Sequence, residues 1–152
     1  MMIKIDSFGS TKIEYINQLA KKFSITLPND YAKFLLEHNG GTMSGYIASY
    51  FETLQQNIFL EVLFGIGLNT DFNLEDWNNE YKDELLEQTL IIGSANSNGL
   101  IVLVNQTELQ GIYYWDHCLS FSSSTESENT YKLSDSFQEF FMAINCSSSD
   151  LS

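Results

Sequence analysis

Ile13, Ile16, Ala20 and Phe23 recur at helical spacing, which predicts a first helix from Thr11 to about Phe23 with one apolar stripe. Thr11-Lys12-Ile13-Glu14 sets a hydroxyl and a carboxylate at capping-box spacing at its start. Leu27-Pro28-Asn29-Asp30 predicts a second start, because proline needs no amide donor there and an acid favours the positive helix end. Tyr31, Phe34 and Leu35 form its buried stripe, and Asn39-Gly40-Gly41 is read as its stop, with glycine taking the left-handed conformation.

Downstream the pattern changes. Residues 46–54 and 58–66 are rich in aromatic and β-branched side chains and flank Gln55-Gln56-Asn57, as two hairpin strands would. Helical spacing returns over 73–86, where Leu74, Trp77, Tyr81 and Leu85 share a face and Asn73 is placed to cap. Leu90-Ile91-Ile92, Leu100 to Val104 and Ile112 to Trp115 are short apolar runs between Gly-, Asn- and Ser-rich turns, the pattern of an antiparallel meander. A serine-rich loop over 118–129 leads to a short strand at Tyr131 to Leu133. Ser134 is the expected cap of a last helix whose Phe137, Phe140, Phe141 and Ile144 face the core. Helices that flank a run of strands, without regular βαβ alternation, predict an α+β fold with helices packed on a mostly antiparallel sheet.

The chain has 152 residues, 43% of them hydrophobic, which suits one domain with a packed core. The domain is expected over residues 1–146, with a fraying tail over 147–152. The longest apolar stretches are too short to span a bilayer, and the N-terminus has no signal-peptide pattern, so a cytoplasmic protein is expected. Charge adds more. Twenty acids face seven bases, all lysine; residues 1–33 carry five lysines against three acids, and the rest two lysines against 17 acids, a net of −15. Such a field repels nucleic acid and anionic membrane and speeds encounter with a basic protein surface.

Candidate chemistry is sparse. His38 and His117 have no second ligand at metal spacing, and Cys118 and Cys146 form no CxxC-type motif, so neither a metal site nor a cofactor is expected. Asp116-His117 lies on a predicted strand end, where adjacent side chains face opposite ways, and no nucleophile elbow accompanies it. Gly93 to Gly99 lacks the lysine of a phosphate-binding loop and reads as a tight turn, and Gly65-Ile66-Gly67 lacks the third glycine of a dinucleotide fingerprint. No enzyme motif emerges. The densest charge is the segment with Asp71, Glu75, Asp76, Glu80, Asp83, Glu84 and Glu87, which suits either a solvated helix face or a docking stripe for a basic partner. Trp77 lies within it as a candidate apolar anchor.

Leu27-Pro28-Asn29-Asp30-Tyr31 through His38-Asn39-Gly40-Gly41 resembles the leading motif of the SUKH superfamily, the Smi/Knr-like proteins. Leu63-Phe64-Gly65-Ile66-Gly67, then Ile92-Gly93 with Asn98-Gly99-Leu100-Ile101, then Gly111 to His117, and finally Leu133 to Phe141 follow in the family's order. The resemblance implies an α+β domain without catalytic residues or cofactor. It also implies a function: many bacterial members are immunity proteins that bind toxin domains, often nucleases or deaminases. Fungal relatives look like regulatory scaffolds, so the alternative is a scaffold that binds a cellular protein or peptide. The expected partner is a basic cognate toxin domain, with the residues from Asp71 to Glu87 as the docking stripe.

Overall fold

In the computed structural model, residues 5–43, 48–51, 56–95, 99–116 and 130–145 are described. Strand β1 (Ile5–Ser7) is followed by helices α1 (Ile13–Lys22) and α2 (Asn29–His38), then by strands β2 (Gly41–Met43), β3 (Ala48–Phe51) and β4 (Gln56–Leu63). Helix α3 (Leu74–Tyr81) precedes the meander β5 (Thr89–Ala95), β6 (Gly99–Val104), β7 (Gly111–Asp116) and β8 (Thr130–Ser134), and α4 (Phe137–Asn145) closes the fold. The strands run in the order β1-β2-β4-β5-β6-β7-β8, with β3 also pairing β4, and every pairing is antiparallel. The α+β expectation therefore holds.

Every residue of β6 is buried, so both faces of the central sheet are covered, as its unbroken apolar run requires. On α2 and α4, Tyr31, Phe34, Phe137 and Phe141 form one aromatic cluster, with ring centroids between 5.0 and 6.3 Å apart. A second set joins α3 to the sheet. Trp77 stacks on Phe64 at 4.8 Å and on Tyr81 at 6.2 Å, and Tyr81 meets the edge of the fully buried Trp115. Asp30 fastens the two outer helices, since its carboxylate accepts from Tyr31 N–H on α2 and from Gln138 N–H in the first turn of α4.

Several local expectations need correction. Lys12, not Thr11, occupies the α1 N-cap position with no side-chain cap, and Ile16 and Leu19 are the buried residues while Ile13 is 48% exposed. Asn39 itself takes the left-handed turn after α2, at φ 49°, ahead of Gly40 at φ 83°. Gln56 and Asn57 belong to β4, paired with Phe51 and Tyr50, and are not turn residues. Ser136 caps α4, its Oγ accepting from Glu139 N–H at 3.1 Å, while Ser134 Oγ donates to the Ser136 carbonyl. The predicted loop over 118–129, the tail over 147–152, His117 and both cysteines lie outside the described residues.

Two buried asparagines satisfy backbone groups with their side chains, as a neighbouring strand would. Asn78 on α3, fully buried, accepts from Ile91 N–H at 2.8 Å and donates to the Ile91 carbonyl at 2.9 Å. The β4–β5 register ends at Leu63 and Gly93, with one further bond from Phe64 N–H to the Ile92 carbonyl, so the amide supplies Ile91 with the donor and acceptor of a missing strand. Asn39 does the same for Ile66, accepting from its N–H at 2.8 Å and donating to its carbonyl at 3.0 Å.

Candidate protein-docking surface

The acidic segment begins in the turn before α3 and continues beyond the helix end. α3 stops at Tyr81, five residues short of the expected end at 86. Its last turn has no basic residue, and Glu80, Asp83 and Glu84 crowd the end where the helix dipole is already negative. Like charges three and four positions apart add repulsion, so a longer helix is disfavoured.

Within this segment the side chains have unequal freedom. Asp71, Asp76, Glu80, Asp83 and Glu87 are exposed, and Glu84 is half-buried. Glu75 is exposed but paired, with its Oε1 3.0 Å from Lys22 Nζ on α1. Asp76 Oδ2 accepts from the Asn73 side-chain amide at 3.2 Å. Glu87 holds the loop through its carbonyl, which accepts from Gln106 Nε2 and Thr89 Oγ1. The negative field registers on a neighbour: burial first, then the Glu80 and Glu84 carboxylates, push the Tyr81 phenol above its ordinary range.

Trp77 is not a free anchor. Its indole is half-buried in the stack with Phe64 and Tyr81, and Nε1 donates to the Asp71 carbonyl at 2.6 Å. It holds the turn carrying Asp71 against the start of the helix. The seven acids thus stand on a scaffold fixed from beneath by Trp77 and Asn78.

Beside this surface the structure forms a cleft of about 350 Å³ between α1 and the start of α3. Tyr15, Gln18 and Lys22 line it from α1, Ile66 and Gly67 from the turn after β4, and Asn73 and Glu75 from α3 and its cap. Tyr15 is 49% exposed, off the buried Ile16 and Leu19 stripe. Asn73, expected to cap α3, makes no side-chain cap bond, and its Oδ1 is buried without a hydrogen-bond partner. Sequence reasoning reached Glu75 by its charge but missed Tyr15, Gln18, Lys22 and Asn73. The available signal was a tyrosine next to the apolar stripe of an otherwise polar helix face.

The remaining candidates have structural surroundings. His38 Nδ1 is hydrogen-bonded to Ser7 Oγ at 2.7 Å, and its ring packs near Phe34 and Phe141. Gly65 forms an isolated bridge with Asn73, linking the turn after β4 to the start of α3. Among the described residues no helix is long and apolar enough to cross a membrane, and no three His, Cys, Asp or Glu side chains gather at one point.

No curated protein matches the chain. The sequence profile of the SMI1 / KNR4 family (SUKH-1), in contrast, matches residues 11–143, a span that runs from the residue before the α1 cap into α4. That span includes α1 to α3 and most of α4, the sheet from β2 to β8, the acidic segment and both walls of the cleft. The chain belongs to the SMI1 / KNR4 family (SUKH-1).

Proposed function

We propose that this protein is a cytoplasmic immunity protein that acts without catalysis, binding a basic toxin domain, a nuclease or a deaminase, and blocking its active surface. Family membership over residues 11–143 is the observation that carries the reading. The charge distribution supports it, because a net of −15 beyond residue 33 favours a cationic partner. A toxin that grips nucleic acid through cationic side chains offers such a surface, and carboxylates can occupy the places of phosphates.

The test is growth rescue: the chain is co-expressed with the toxin module encoded beside it, and survival is followed together with co-purification at low and high salt. Rescue with a 1:1 complex that weakens in salt is the expected result. Absence of both rescue and a complex would refute the immunity reading for that pair. Neutralising Asp76, Glu80, Asp83 and Glu84 together should slow association about tenfold at low ionic strength and flatten its salt dependence. Unchanged kinetics would remove the acidic segment from the interface.

A further inference from the structure

We infer that Asn39-Gly40 is a deamidation site gated by the fold: the native junction holds it inert, and an opened chain that reacts there permanently loses native stability. The site stands apart from any partner-binding role. An asparagine followed by glycine is the pairing most prone to this reaction, because the second residue has no side chain to hinder approach to the amide. The Gly40 backbone nitrogen, on losing its proton to solvent base, attacks Asn39 Cγ. A C–N bond forms, the Cγ–Nδ2 bond breaks, and Nδ2 takes a proton from water and leaves as ammonia. Water then opens the five-membered imide at either carbonyl, which leaves an aspartyl or an isoaspartyl residue at position 39.

In the native structure geometry blocks the ring closure. At ψ 47° the Gly40 nitrogen lies nearly opposite Cβ across the Asn39 Cα–C bond, whereas closure requires the two to eclipse. Rotation about that bond is opposed from both ends. Asn39 N–H donates to the Leu35 carbonyl at 2.9 Å, and the Gly40 carbonyl accepts from Phe8 N–H at 3.3 Å. Gly41, next along the chain, pairs with Ser7 of β1 and Leu63 of β4. The amide itself is almost wholly buried, with Oδ1 accepting from Ile66 N–H and Nδ2 donating to the Ile66 carbonyl. Reaction therefore requires β2 to leave its neighbours, an opening that costs a large part of the stability of the domain.

Neither product suits the junction. A carboxylate keeps an acceptor for Ile66 N–H but turns an oxygen toward the Ile66 carbonyl, where Nδ2 had donated. The isoaspartyl form inserts one carbon into the main chain between α2 and β2, where Gly40 has no room beside the Leu63 and Phe64 backbone. A reversible opening is thus converted into a lasting defect.

The experiment incubates the full chain at mildly alkaline pH across a urea series that spans its unfolding transition, with the capped peptide N-acetyl-Glu-His-Asn-Gly-Gly-amide as the unprotected reference. Trypsin cleavage after Lys33, Lys82 and Lys132 places Asn39 and the other Asn-Gly pair, Asn98-Gly99, on separate peptides, and fragmentation in the mass spectrometer locates the amide-to-acid change. In buffer, position 39 should react at least about 100-fold more slowly than the reference peptide, and the rate should climb through the unfolding transition to the peptide value. In an Asn98→Ser background, chain reacted in urea and returned to buffer should unfold at a lower urea concentration than unreacted chain. A native rate within about tenfold of the peptide, which the unsubstituted chain alone decides, would overturn the gating. A reacted chain that refolds with an unchanged midpoint would overturn the lasting defect.

Discussion

Replacing Asn78 tests whether a side chain stands in for a missing strand. Asn78 is fully buried on α3, and its amide satisfies Ile91 N–H and carbonyl at 2.8 and 2.9 Å while also donating to the Leu74 carbonyl at 2.9 Å. Leucine conserves much of the volume but leaves the two Ile91 groups without these partners, and each buried orphan costs about 1–3 kcal/mol. Asn78→Leu should therefore lose about 2–6 kcal/mol, a large part of the stability of an ordinary domain. Asn78→Asp separates the two bonds. One carboxyl oxygen can still accept from Ile91 N–H, but the other must carry a proton to face the Ile91 and Leu74 carbonyls. Burial beside those carbonyls raises the folded-state pKa of the new acid above its unfolded value, so the folded state binds the extra proton. Stability of this variant should then be greatest at low pH and fall as pH rises above the unfolded aspartate value, about 3.9. Urea unfolding followed by far-UV circular dichroism, with the wild type measured at each pH, gives the difference. An Asn78→Leu midpoint within error of wild type, or an Asn78→Asp penalty that does not grow with pH, would refute the strand-substitution argument.

Asn39 carries two burdens that substitutions can divide. Asn39→Gly keeps the left-handed turn but loses both Ile66 bonds, for about 1–3 kcal/mol in total because Ile66 is only half-buried and water can partly replace them, while Asn39→Ala should cost about 1 kcal/mol more by urea unfolding because it also strains φ 49°. Tyr31 runs the other way: its hydroxyl is buried without a partner and burial drives its pKa far above the ordinary range, so Tyr31→Phe should be neutral or stabilising by about 1 kcal/mol, and a clear loss would reveal a bonded hydroxyl. Tyr81 should titrate above an ordinary tyrosine when followed by 13C NMR. The double variant Glu80→Gln/Glu84→Gln should lower that pKa only in part, because burial is the larger cause.

The readable parts of the fold were those in which one physical signal acted alone. α2 pairs a proline start with an apolar stripe and a turn at Asn39-Gly40, and the runs that became β5, β6 and β7 are too apolar and too short for anything but buried strands. β1 and β2 escaped notice because three residues cannot display alternation; they exist because they pair with each other and because Gly41 and Thr42 of β2 pair with Leu63 and Val62 at the end of β4. The stripe of α1 was misplaced by phase, since Ile13 looks as apolar as Leu19 and only tertiary contact decides between them. Asn78 was invisible for a similar reason. In a helix crowded with acids, a polar residue reads as solvent-facing, and nothing in the sequence says that a strand edge passes above it.

Close backbone packing is also why the family motifs fail to name the partner. Asn39-Gly40 and Leu63 to Ile66, two blocks separated in sequence, interlock in the fold: a side-chain carbon on Gly40 would press on the Leu63 and Phe64 carbonyls, and one on Gly65 would strike the Asn39 carbonyl. Gly40 needs its freedom twice, for this approach and for φ 83°. These residues are consumed by one backbone junction, and a residue with every atom engaged internally has nothing left for a partner. Side chains free to bind are those the junction only positions: the carboxylates on α3 and the walls of the cleft beside it. Asn73 stands at the boundary, bridged to Gly65 through its backbone and lining the cleft. A change of partner among proteins with this fold would thus be expected to alter Tyr15, Gln18 and the acids of 71–87 while leaving the Asn39-Gly40 junction alone, and a toxin interface mapped to that junction would contradict this division.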